Sequence, residues 1–206
     1  MKTFAHHTWI EKNRSWIKIF ASPHPFLNIA FMLPIIFWLA FTGKTWIITH
    51  IVFSACFFMI GLLYWSFIEY FIHRWIYHAQ YRNKKVRELV ESFHIYHHRS
   101  PKDNSVLTAG PLIFFPLALI LLMPIWIISL GHQGIFSSIS LGVILYYLFY
   151  EWVHYSIHRR IPKTVYARWI TEYHMFHHKV WNVKYGNTTS LWDHLFRTYD
   201  NTGPNS

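Results

Sequence analysis

Polar positions in this chain are gathered into three blocks, and four long apolar stretches lie between them. The stretches run from about 26 to 42 (with Pro34 inside), 46 to 68, 112 to 130 and 135 to 153. Each is about 17–23 residues long, enough for a helix rising ~1.5 Å per residue to cross a hydrocarbon core of ~30 Å. Only Gly43 and Lys44 separate the first pair, and only GHQG (131–134) separates the second. The pattern therefore predicts an all-α integral membrane protein of four transmembrane helices in two tight hairpins. Both hairpin tips then lie on one side, and both termini and the middle segment on the other.

The polar blocks divide the rest. Residues 1–25 form an N-terminal arm, followed by a single membrane domain over 26–206 whose cap comprises 69–110 and 154–200. In the arm, HTWIEKNRSWIKIF (7–20) places Trp9, Ile10, Trp16, Ile17 and Phe20 on one helical face with Lys and Arg opposite. It reads either as a helix in the headgroup layer or as a frayed arm. The first apolar run has the length of a span, so no cleavable signal peptide is expected.

Charge orients the spans. Of nineteen Lys and Arg, only Lys44 lies at a hairpin tip. By the positive-inside rule the arm, the middle segment and the tail are cytoplasmic. The composition agrees with a membrane protein: 53% hydrophobic, 20% aromatic and only 14% charged, with a formal net charge of +10. The basic residues sit beside apolar spans, which points to anionic lipid rather than nucleic acid as their partner. The single cysteine, Cys56, lies in an apolar run; it can build neither a disulfide nor a thiolate metal site and is expected to be a packing residue.

The chain repeats itself. Each half is a hairpin, then an acidic residue, a spaced histidine pair and a histidine triplet. The first half gives Glu69, His73 and His78, then HIYHH with His94, His97 and His98. The second gives Glu151, His154 and His158, then HMFHH with His174, His177 and His178. Residues three or four apart share a helical face, so each triplet is expected to project together, as are His154 and His158. His73 and His78, five apart, diverge by about 140° on an α-helix and converge only if the helix is distorted there.

Imidazole is the commonest neutral ligand for Zn, Cu, Fe and Ni. A structural zinc is filled by four ligands, so ten histidines suit two metal ions with about five nitrogens each. Glu69 and Glu151 share a face with a clustered histidine. They either accept from imidazole N–H groups and orient the rings or are ordinary interfacial charges. His6, His7, His24, His50 and His132 lie outside the clusters and read as surface or interfacial residues. Ligand type does not separate iron from zinc, but location does. An acyl chain reaching up from the bilayer offers only unactivated C–H bonds, which redox-inert zinc cannot oxidise and iron with O2 can.

The spacings HX4H, HX2HH, HX3H and HX2HH resemble the fatty acid hydroxylase superfamily of membrane di-iron enzymes, over about residues 60–200. WSFIEYFIHRWIYH (65–78), HHRSPKD (97–103), YEWVHYSIHRRIPK (150–163) and YGNTTSLWDHLFRTY (185–199) are most similar to fatty acid 2-hydroxylases. The resemblance implies that His73, His78, His94, His97, His98, His154, His158, His174, His177 and His178 bind two irons. His194 is left out as a helix-surface residue. The implied reaction is O2-dependent hydroxylation of the acyl carbon beside the carboxyl, often on sphingolipid chains; purified material could carry zinc. Only about 25 residues precede the first span, too few for a fused cytochrome b5 domain. An external electron donor, cytochrome b5 or a ferredoxin, is therefore expected to dock on the basic face.

After Asp103 the chain departs from the family's usual Arg and Pro-Pro, with Val106 and AGP (109–111) in a loop expected near the substrate entrance. Trp and Tyr near the span ends are expected to anchor the protein in the bilayer rather than touch substrate. The alternatives are a sterol or carotenoid oxidase or desaturase on the same scaffold, and a histidine-rich metal transporter, which should instead carry polar ligands at the bilayer midplane. Small size and the absence of an ER-retrieval ending favour a bacterial inner membrane over the ER membrane.

Overall fold

The computed structural model describes residues 21–22 and 24–199. The amphipathic segment 7–20 lies outside the described residues. The long elements are α1 (Pro25–Thr49), α2 (Ile51–Phe71), α5 (Pro111–Ile128) and α6 (Gln133–Arg159). All four are long and apolar enough to cross a membrane. Between α2 and α5 the chain forms a π-helix (π1, Ile72–Tyr77), a short helix α3 (Lys84–Val90), a second π-helix (π2, Glu91–Ile95) and α4 (Tyr96–Arg99). After α6 come α7 (Val165–Lys179) and α8 (Leu191–Leu195). A two-residue strand pair joins β1 (Ala21–Ser22) antiparallel to β2 (Thr108–Ala109).

The first hairpin turns later than its sequence suggests. Helix α1 runs through Gly43 and Lys44 to Thr49, and the chain breaks at His50. Gly43 serves packing here: a Cβ at that position would stand 2.6 Å from Ser137 Cβ of α6. Lys44 lies over the Phe41 ring at 4.4 Å. The second hairpin turns where GHQG predicts, with α6 starting at Gln133. His24 and His132 cap helices, each Nδ1 accepting a backbone N–H, from Phe26 and Ile135 respectively. His50 stacks on Trp46.

Helix α6 is the spine, packed against both α1 and α2. The α2–α6 crossing is close because Gly61 and Gly142 face one another, and a Cβ on either would collide with a backbone carbonyl opposite, Ile139 O or Phe58 O. Toward the histidine end the core is aromatic, with Trp65 edge-on to Tyr147 and Phe114 stacked on Tyr147. Asn28 of α1, buried, donates to Ala109 O at 2.9 Å and to Tyr147 Oη at 3.2 Å, fastening the 106–110 loop to the bundle. Cys56 is exposed on the outer face of α2 rather than packed inside, since the inner stripe is taken by Ser54, Gly61 and Trp65.

Candidate metal centre

The pair His73 and His78 is brought together by π1. A π-helix bonds residue i to i+5, and His78 N–H donates to His73 O at 3.2 Å. The extra residue of HX4H is thereby absorbed, and the pair does in a π-helix what His154 and His158 do four apart on α6. A second π turn, where Tyr96 N–H donates to Glu91 O, leads into the first triplet.

Each triplet divides between two groups instead of projecting as one. Nitrogens of His73, His78, His94, His98 and His177 lie within 4.8 Å of one another, and so do those of His97, His158, His174 and His178. The i, i+4 members of each triplet stay with their own half, and the middle member crosses to the other. The turn-by-turn drift of a helix explains this: i+4 overshoots a full turn and i+3 undershoots it, so the two point to opposite sides of the helix face. His154 adjoins the second group, its Nε2 3.2 Å from His97 Nε2.

Three rings have a fixed tautomer. His73 Nδ1 lies 2.5 Å from Tyr185 O, His154 Nδ1 3.0 Å from Leu107 O, and His177 Nδ1 2.6 Å from Val183 O. A carbonyl only accepts, so each Nδ1 carries the proton and each Nε2 turns a bare lone pair inward. Those lone pairs meet other ring nitrogens at 3.1–3.2 Å, in His73–His94, His154–His97 and His177–His78. One ring N–H can serve only one such lone pair, yet His94 Nε2 has the nitrogens of His73, His78 and His98 at 2.8–3.1 Å, so the remaining contacts repel unless a cation lies between them. A cation ~2.1 Å from two nitrogens at right angles leaves them about 3.0 Å apart, so the donor set fits a metal.

The cap histidines are also held neutral, as ligands must be. Burial, then the charge of neighbouring His178, lowers His78 to about 4. Burial with His78 lowers His177 to about 3, and burial with His154 and His177 lowers His178 to about 3. His94, His97, His98 and His174 are pushed down by the same causes.

Among the described residues, Glu69 and Glu151 accept hydrogen bonds from loop groups and not from imidazoles. Glu69 Oε1 accepts from Asn187 N, Thr188 N and Thr188 Oγ1 at 3.2, 3.0 and 2.7 Å. Glu151 Oε1 accepts from Ala109 N at 3.4 Å. Both carboxylates tie down loops that themselves touch the centre, and both are buried rather than interfacial. Asp193, which the sequence pattern flagged only as part of WD, does similar work. Fully buried, it accepts from Tyr185 N, Gly186 N and Thr198 Oγ1 at 2.7–2.8 Å, and so positions the carbonyl that holds His73. His194 beside it is exposed and stacks on Tyr199, outside the centre.

A cavity of about 360 Å3 adjoins both groups, reached by His73, His94, His97, His154 and His174. Its wall is mainly apolar, with Phe93, Leu112, Ile113 and Leu117 prominent. Val106, Leu107, Thr108 and Ala109 of the 106–110 loop line it, as the sequence suggests. Trp65, Tyr77, Tyr147 and Tyr150 line it as well, so these aromatic residues face the cavity instead of the headgroups. Besides the rings and Thr108, the polar groups in the wall are Glu69, Glu151 and Asn187, and each of these three keeps one oxygen without a hydrogen-bond partner among the described residues.

Fold and site together define an integral membrane protein with buried imidazole groups fitted to metal at the end of a four-helix bundle. The chain belongs to the fatty acid hydroxylase family, whose model matches residues 58–198. It is similar to dihydroceramide fatty acyl 2-hydroxylase FAH2 of Arabidopsis thaliana, 32% identical over 67% of this chain and 58% of that protein. It is also similar to the ceramide very long chain fatty acid hydroxylase scs7 of Schizosaccharomyces pombe, 32% identical over 82% of this chain and 50% of the relative. The mouse fatty acid 2-hydroxylase is 30% identical over 68% of this chain and 38% of its own length. The chain thus spans 58% and 50% of the length of the first two. A solved structure of full-length scs7p, with only the hydroxylase domain visible, superposes with a TM-score of 0.75 at 22% identity, covering 89% of this chain and 68% of that one.

Proposed function

We propose that the chain is an O2-dependent lipid hydroxylase that uses two irons to hydroxylate a fatty acyl chain at the carbon beside the carboxyl, on a free or sphingolipid-linked acyl group. The observation that supports this most is the junction of two imidazole groups with an apolar cavity at the end of the spans. His73, His78, His94, His98 and His177 would hold one ion, and His97, His158, His174 and His178, with His154 adjoining, the other. Iron bound there supplies the oxidation of an unactivated C–H bond, with O2 as oxidant.

The protein's own part is positioning. Phe93, Leu112, Ile113 and Leu117 hold the acyl chain and exclude water, while Glu69, Glu151 and Asn187 offer hydrogen-bonding groups for the polar end of the lipid. That combination selects a carbon close to the carboxyl over one far down the chain. Carbonyls of Tyr185, Leu107 and Val183 keep three Nε2 lone pairs aimed at the ions. The cap faces the cytoplasm by its basic residues, and a separate carrier such as cytochrome b5 or a ferredoxin delivers electrons there. The test is lipid analysis of cells expressing the wild-type chain or His177→Ala. The reading requires 2-hydroxy acyl chains in the first and none in the second; products of sterol or carotenoid oxidation instead would replace it.

A further inference from the structure

A second hollow lies away from the metal centre, where the end of α6 meets the start of α7. It encloses about 750 Å3. Its floor is apolar, built on the buried Val153, Ile157 and Ile170. Its rim carries Arg159, Arg160 and Lys163, all exposed, and among the described residues no acidic side chain lines it. The Arg160 guanidinium sits 4.1 Å from the centre of the Trp152 ring, which holds it at the rim. Thr164 caps the fifteen-residue α7, its Oγ1 accepting from Ala167 N at 3.1 Å, so the positive end of that helix points into the same region. Beneath the rim, buried Ser156 Oγ has no hydrogen-bond partner among the described residues.

The hollow stands where the candidate span Gln133–Arg159 ends, with half-exposed Phe149 continuing its apolar floor down the outer face of α6. Charge above and hydrocarbon below are the two halves of a phospholipid. We infer that this groove binds an anionic phospholipid, with the phosphate among Arg159, Arg160 and Lys163 and the acyl chains along Phe149 and Val153. An acidic protein surface would meet the same three charges but has nothing to fill the apolar floor. The inference does not depend on the reaction performed at the histidines.

The test is native mass spectrometry of the purified chain in detergent with phosphatidylglycerol or phosphatidylcholine of identical acyl chains. Wild type should retain phosphatidylglycerol selectively. Arg159→Gln/Arg160→Gln/Lys163→Gln should lose that retention by on the order of a hundredfold, from three surface charges acting together. A matched variant away from the groove, Arg82→Gln/Lys84→Gln/Lys85→Gln, should keep it. Should the triple variant not fold, Lys163→Glu at its exposed position should still weaken retention by about tenfold. Equal loss in both triple variants, equal retention of phosphatidylcholine, or unchanged retention in Lys163→Glu would each overturn the inference.

Discussion

His97 Nε2 lies 3.2 Å from His154 Nε2, although 57 residues separate them and they belong to different repeats. His177 makes the reciprocal crossing, 3.1 Å from His78. The two halves therefore complete each other's imidazole groups, and neither repeat supplies all the rings of either group. His97→Ala should chiefly empty the second-half group, and His177→Ala the first-half group. Each should lower bound metal by about half and product formation by at least about a hundredfold, since losing a ligand exceeds the loss of an outer hydrogen-bond partner. Elemental analysis checks this; loss of both ions in proportion from either variant would show one merged site.

The π-helix over 72–77 makes a deletion informative. Removing the half-exposed Ile76 leaves a four-residue spacing, which an α-helix presents on one face just as α6 presents His154 and His158. The deletion variant should keep most of its metal. Complete loss of the first-half ion would mean the π turn supplies more than spacing.

Glu69 is expected to separate loop anchoring from ring orientation. Glu69→Gln retains an acceptor for the Thr188 N–H and should leave metal content unchanged. Glu69→Ala abandons buried donors and should cost about 1–3 kcal/mol in thermal unfolding. Metal loss in Glu69→Gln with unchanged stability would instead place the carboxylate on an imidazole.

Gly142→Ala should be poorly tolerated because the added methyl meets the Phe58 carbonyl, a rigid backbone group. Overpacking of this kind costs about 1–3 kcal/mol. A melting temperature equal to wild type would show that α2 and α6 cross less closely than described.

For the metal-free protein, acid is destabilising. His78, His177 and His178 are lowered to about 4, 3 and 3 in the folded chain, against ~6.5 when unfolded. Below about pH 6.5 the unfolded chain takes up protons that the folded chain refuses. Stability should therefore be full above that pH and fall continuously toward pH 4. Unfolding midpoints of chelator-treated protein across that range check the slope; a flat profile would mean the rings are solvated.

Much of this was legible in the residues. Apolar run length gives four spans, and histidine spacing gives the ten ring donors that the fold gathers. What spacing could not give is the helix type at 72–77, because HX4H is compatible with either divergence or a π turn. Nor could face-sharing show that His97 and His177 cross over, since the angle that parts i+3 from i+4 on every helix divides a triplet between two groups only where other helices bring partners to each side. Gly43 looked like a turn because glycine's other use, close helix contact, depends on Ser137 far along the chain. Glu69 and Glu151 read in the sequence as acceptors for imidazole or as interfacial charges, because the loops they hold lie 118 and 42 residues away.

The most direct test follows acyl chains in cells expressing the protein under heavy-isotope oxygen gas. Mass spectrometry should find 2-hydroxy acyl lipids whose new oxygen comes from the gas, absent with His177→Ala. Label-free hydroxyl groups, or hydroxylation equal in the variant, would contradict an iron- and O2-dependent reaction at these histidines.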